Sequence, residues 1–119
     1  MSLETSISAS LTATKNGASI SASGSKQLDM SGTEMTSLVQ TFTTSEAAVS
    51  LGGVDSVAAL LIKNLDGTND LTIGYANPIV TVMSVIKPGA MILVSGCSTT
   101  LYGKSSASTV DAFIAVAEA

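Results

Sequence analysis

VDSVAALLIKNLDGTNDLTIGY, residues 54–75, admits two readings, and the choice between them sets the fold class. Val54, Val57, Ala58, Leu61, Ile62 and Leu65 fall on one stripe of a helix, but the same run also fits a buried strand. The second half of the stretch favours the strand. DGTND at 66–70 is turn chemistry, and LTIGY at 71–75 is a short β-prone run, so the segment reads best as strand, turn, strand.

The same pattern extends in both directions. Upstream, Leu3, Thr5, Ile7, Ala9 and Leu11 alternate with Glu4, Ser6, Ser8, Ser10 and Thr12, the period of two of a strand with one apolar face. Asn16-Gly17 is a strong hairpin signal because both residues tolerate positive φ. The alternation then resumes through Ala18, Ile20 and Ala22. A looser segment with Gly24 and Gly32 leads into the Thr-rich strand MTSLVQTFTT. Downstream, IVTVMSVI is strongly β, KPG at 87–89 is a turn with Pro at its corner, and AMILVS and TTLYG read as short strands. The tail STVDAFIAVAEA is a second ambiguity. Ser108 and Asp111 could form a capping box ahead of a helical face of Val110, Phe113, Ile114 and Ala117, whereas Ala112, Ile114 and Val116 share one face of a strand. The strand is again favoured. The expectation is an all-β chain: a single antiparallel sandwich domain over 1–119 with about eight to ten short strands, in which residues 1–14 form an N-terminal arm or an exchanged strand.

Composition narrows the functional classes. Of 119 residues, 45% are apolar but only 3% aromatic, so the core must be aliphatic. Charged residues make up only 12%, against a large complement of Ser and Thr, which suits the outer faces of sheets. The net charge is −4 and the basic residues are scattered lysines at 15, 26, 63, 87 and 104. Nucleic-acid binding needs clustered cations, so it is not expected. Histidine is absent, which removes the commonest general base and metal ligand. Cys97, the single cysteine, can form no internal disulfide, has no His to activate it, and fits a reducing cytoplasm. MSLETSISAS lacks the layout of a signal peptide, and no apolar run approaches the ~20 residues of a membrane span. A soluble protein is the expectation.

Three motifs suggest chemistry and fall short of it. SGCSTTLYGKSSAST, 95–109, contains the Gly103-Lys104-Ser105 of a phosphate loop, but the spacing from Gly96 is too long and Ser98 stands where glycine is required. It reads instead as the end of one strand and the turn into the last. Ser23-Gly24-Ser25-Lys26 spells the Ser-x-x-Lys of serine acyl-transferases without a helix to carry it. Asp66, Asn69 and Asp70 would suit a calcium loop, but EF-hand spacing is missing and a hairpin corner needs the same residue types. Tyr75, Tyr102, Phe42 and Phe113 are too few to line a stacking platform. No catalytic, cofactor-binding or metal site is assigned, and no enzymatic activity is expected.

The order VAALLIKNLDGTNDLTIGY, then VIKPGAMILVSGCSTTLYGKSSASTVDAFIAVAEA, resembles small virion structural proteins of tailed bacteriophages, over about Val57 to Glu118. The resemblance lies in turns and strands, so no functional residue is carried over. It implies a jelly-roll-like sandwich on the capsid exterior, a cement or decoration subunit made in the host bacterial cytoplasm. Such subunits assemble as dimers or trimers and bind the major capsid protein, without nucleic acid, membrane or cofactor. A head–tail or tail-associated subunit and a small glycan-binding module are the alternatives.

Overall fold

The computed structural model describes residues 5–28, 35–52, 54, 57–75, 81–95 and 100–118. The described residues form ten strands and no helix: β1 (Thr5–Lys15), β2 (Ala18–Leu28), β3 (Met35–Phe42), β4 (Ala47–Ala48), β5 (Val57–Asn64), β6 (Leu71–Tyr75), β7 (Thr81–Ile86), β8 (Met91–Val94), β9 (Leu101–Ser105) and β10 (Val110–Glu118). Both ambiguous segments are therefore strands. In β10, Val110, Ala112, Ile114 and Val116 are buried and the intervening side chains are not, as a period of two requires. No helix among the described residues is long and apolar enough to cross a membrane.

The last eight strands build two four-stranded antiparallel sheets, one in the order β3-β10-β5-β8 and the other β4-β9-β6-β7. The pairs β3–β10, β4–β9, β5–β8 and β6–β7 are those of one long antiparallel hairpin. Rolling it up adds the contacts β10–β5 and β9–β6 and closes a jelly-roll sandwich. The turn at 66–70 is not a hairpin corner: β5 and β6 lie in different sheets, so it carries the chain across the sandwich. Lys87–Gly89 and the segment between β9 and β10 cross between the sheets in the same way. Turn residues specify a local reversal, which serves a hairpin or an inter-sheet corner equally well.

The core between the sheets is aliphatic around one aromatic ring. Phe42, Leu60, Ile62, Leu71, Ile73, Ile86, Val110 and Ile114 are essentially inaccessible. Each such side chain contributes roughly 1.5–3 kcal/mol on burial. In β7 the register slips so that Ile73 faces Ser84 and Gly74 faces Val82. This bulge turns Met83 toward the core and leaves both Val82 and Val85 exposed on the outer side.

β1 and β2 stand apart from this core. They pair with each other over their whole length, from Thr5 opposite Leu28 to Lys15 opposite Ala18. Asn16 (φ 52°) and Gly17 (φ 82°) supply the two left-handed residues of a type I′ turn. The first strand thus belongs to a two-stranded hairpin that includes the looser segment after Ala22. The turn at Lys87–Ala90 also matches its sequence signal: Gly89 has φ 77° after Pro88, and the Ala90 amide donates to the Lys87 carbonyl at 2.9 Å.

Candidate functional site

Several of the residues singled out for chemistry serve the fold. Gly103-Lys104-Ser105 lies inside β9 and not in a loop, so the strand runs further than its sequence suggests. The Ser105 amide donates to the Thr43 carbonyl at 2.7 Å. Its hydroxyl donates to the Ala107 carbonyl at 2.7 Å and accepts from the Ala107 amide at 3.2 Å, capping the turn into β10. An extended strand spends its amides on the sheet ladder, so this segment cannot wrap them around a phosphate. Ser23 and Lys26 sit three apart on β2 and so project from opposite faces, which prevents the lysine from activating the serine. Cys97 lies outside the described residues.

The acidic turn is organised by its own backbone. Asp66 accepts from the amides of Thr68 at 2.9 Å and Asn69 at 2.6 Å, and these bonds, that from Asn69 foremost, lower its pKa below the ordinary carboxylate value. Asp70 accepts from Lys87 Nζ at 3.0 Å. Asn69 turns its carbonyl inward to accept from Asn64 Nδ2 at 2.9 Å. The Asp66 and Asp70 carboxylates and the Asn69 backbone carbonyl are therefore each engaged with a different partner. Among the described residues no group of three Asp, Glu, Cys or His side chains gathers as a metal cluster would.

Asn64 is the residue that sequence reasoning missed. Fully buried at the end of β5, it donates to the carbonyls of Asn69 and of Ile86 (3.0 Å) and accepts from the Asp66 amide at 2.8 Å. Its backbone accepts from Gly89 and donates to Ala90, both at 3.0 Å. One amide side chain thus ties together two of the corners where the chain changes sheet. The only sequence signal was a polar residue at an inward position of an apolar strand.

The remaining extended features are two apolar faces. On the β1–β2 hairpin, directly opposed residues share a face. One face carries serine or threonine at every position from Ser6 to Thr14 and from Ser19 to Ser25, ending at Gln27. The other carries Ile7, Ala9, Leu11, Ala13, Ala18, Ile20 and Ala22, with Lys15 beside the turn and Lys26 opposite Ile7. Ile7 is half-buried; every other described hairpin side chain is exposed, with Leu11 at 59% and Ile20 at 57%. The second apolar face is the outer side of the β3-β10-β5-β8 sheet. Pairing register places Met35, Val39, Phe113, Ala115, Ala117, Leu61, Leu93 and Met91 there together, with Lys63 among them. Val39 is 58% exposed and Met91 54%, while Phe113 and Leu61 are half-buried.

The two faces meet at the root of the hairpin. Ser6 and Ile7 line an open groove of about 410 Å³ with Met35, Leu61, Leu93 and Ala115. Beyond it, Ala9, Gly24 and Lys26 approach Leu93 and Ser95 at the edge strand β8. Fold and surface together define a jelly-roll sandwich that carries an amphipathic two-stranded arm. Comparison with protein-family models, with curated proteins and with solved structures finds no match to this chain.

Proposed function

We propose that this chain is a non-enzymatic structural subunit of a tailed-phage particle, a cement or decoration protein that binds the outside of the major capsid protein shell. The observation that carries the reading is the distribution of chemistry over the molecule. Polar side chains able to react or ligate are used to hold corners, while broad, weakly charged apolar surface lies on an arm and on a sheet face. Surface of that kind serves contact between proteins. The resemblance of residues 57–118 to virion structural proteins supplies the context, and jelly rolls occur widely in viral capsids as well as in lectins. A fold alone does not assign a role.

Cementing works by mass action: a subunit that binds only the assembled shell stabilises it, and many weak contacts on a lattice sum to avidity. The test is the copy number of this chain in purified particles, measured by quantitative mass spectrometry. A cement protein is present in hundreds of copies that scale with the major capsid protein. A handful of copies would assign the chain to the head–tail junction or tail, and absence from particles would end the virion reading. A small glycan-binding module is disfavoured by the aromatic inventory, since Phe42 is buried and three other aromatic residues remain for stacking.

A further inference from the structure

We infer that the β1–β2 arm is an exchange element: its apolar face seats on the outer β3-β10-β5-β8 face of a second copy of this chain. An isolated two-stranded hairpin is marginal in water and needs a third layer to cover its apolar side. This one has strands of 11 residues each, about 36 Å long at ~3.3 Å per residue. Its root shares a groove with the sheet, and its strands from Leu11 to Ala22 are exposed throughout. Among the described side chains of this face only Ile7 is half-buried; Leu11, Ala13, Ile20 and Ala22 are exposed.

The chemistry of the cover is fixed by what the arm presents. The hydroxyl-rich side suits water, so it is the apolar side that must be buried. The described arm carries charge only at Lys15 and Lys26, both on the apolar side at its two ends, leaving the middle of that side neutral. A largely apolar seat exists on the same chain, with Val39 and Met91 exposed, Phe113 and Leu61 half-buried, and Lys63 as the charge among them. At the arm's root Ile7 already lies against this same sheet face, so the contact between a second copy's arm and the seat extends one the chain makes with itself. The area is sufficient. About 16 residues from Ala9 to Gly24 cover roughly 250 Å² of a sheet, and a reciprocal pair buries two arms and two seats, on the order of 1,000 Å², the threshold of specific interfaces. Reciprocal exchange closes as a two-fold pair, and head-to-tail exchange closes as a small ring.

Self-association is measured on purified chain with no shell present, so this inference and the shell-binding reading can each fail alone. The experiment is sedimentation equilibrium over a concentration series on the wild type, Leu11→Lys and Val39→Lys. Both positions are exposed in the single chain, and circular dichroism checks that each variant keeps its fold. The wild type is expected as a dimer or small closed ring, and each variant should dissociate at concentrations about 10- to 100-fold higher. Mixing the two variants should recover part of the association, because an unaltered arm then meets an unaltered seat. A monomeric wild type, association unchanged in both variants, or no gain on mixing would each overturn the inference.

Discussion

The ring of Phe42 lies across Gly103, so close that a β-carbon at position 103 would stand 2.7 Å from Phe42 Cε1 and 3.1 Å from Ile73 Cδ1. The glycine that gives residues 103–105 the look of a phosphate loop is there to let the one aromatic side chain of the core span the two sheets. Its φ is not in the left-handed region, so the requirement is for space alone. Gly103→Ala should therefore destabilise by about 1–3 kcal/mol through overpacking. In urea titrations, Gly103→Ala combined with Phe42→Leu should lose less than the sum of the two single changes, since the smaller side chain removes the overlap. Strict additivity would refute the contact.

Asn64 makes the opposite kind of prediction, one of loss. Asn64→Ala leaves the buried Ile86 carbonyl, the Asn69 carbonyl and the Asp66 amide without their partner. Each unsatisfied buried group costs roughly 1–3 kcal/mol, less where water enters, so a total of about 3 kcal/mol or more is expected. Hydrogen exchange should rise first at Asp66 and Ala90, on the two corners that Asn64 joins.

Acid stability should depend on Asp66. Its pKa is lowered in the folded chain by amide hydrogen bonds, so its contribution is fully present above the unfolded carboxylate value and is lost as pH falls through the lower folded one. Below about pH 4 the wild type should weaken progressively. Asp66→Asn should be less stable near neutrality and show a shallower acid slope, measured by thermal melts between about pH 2 and pH 6.

Lys87 and Asp70 form a pair whose lysine side chain is 72% exposed. Such pairs contribute about 0–1 kcal/mol at most. Lys87→Ala should shift the urea midpoint little, and raising the salt concentration should change the wild type equally little.

Among the described side chains, the hairpin supplies none to the buried core. Chain lacking residues 1–28 should accordingly keep a cooperative melt and the same β-rich circular dichroism. In dilute full-length protein, trypsin should cut at Lys15 and Lys26, both exposed, well before Lys63 and Lys104, which lie half-buried within sheet strands. Loss of the cooperative transition on truncation would show that the arm belongs to the core.

Much of this architecture was legible from residues 54–75 outward, and the reason is local. Alternation with period two, Asn-Gly at 16–17 and Pro-Gly at 88–89 are properties of neighbours in the chain, and they specify strands and turns wherever those end up. The aliphatic core and the weakly charged surface came from composition in the same way. What the sequence could not state is which sheet each strand joins. Thr41 donates to Asp111 across 70 residues, and the corner at 66–70 bridges two sheets where a hairpin was expected. Those choices minimise exposed apolar surface over the whole chain at once, and no local signal encodes them. The same holds for the surfaces proposed to act. The alternation of Leu3 to Leu11 announced an amphipathic strand. Only the tertiary structure shows that the hairpin's apolar side is left uncovered from Leu11 to Ala22, that a second apolar face lies on the sandwich, and that Asn64, Gly103 and Asp66 serve the fold.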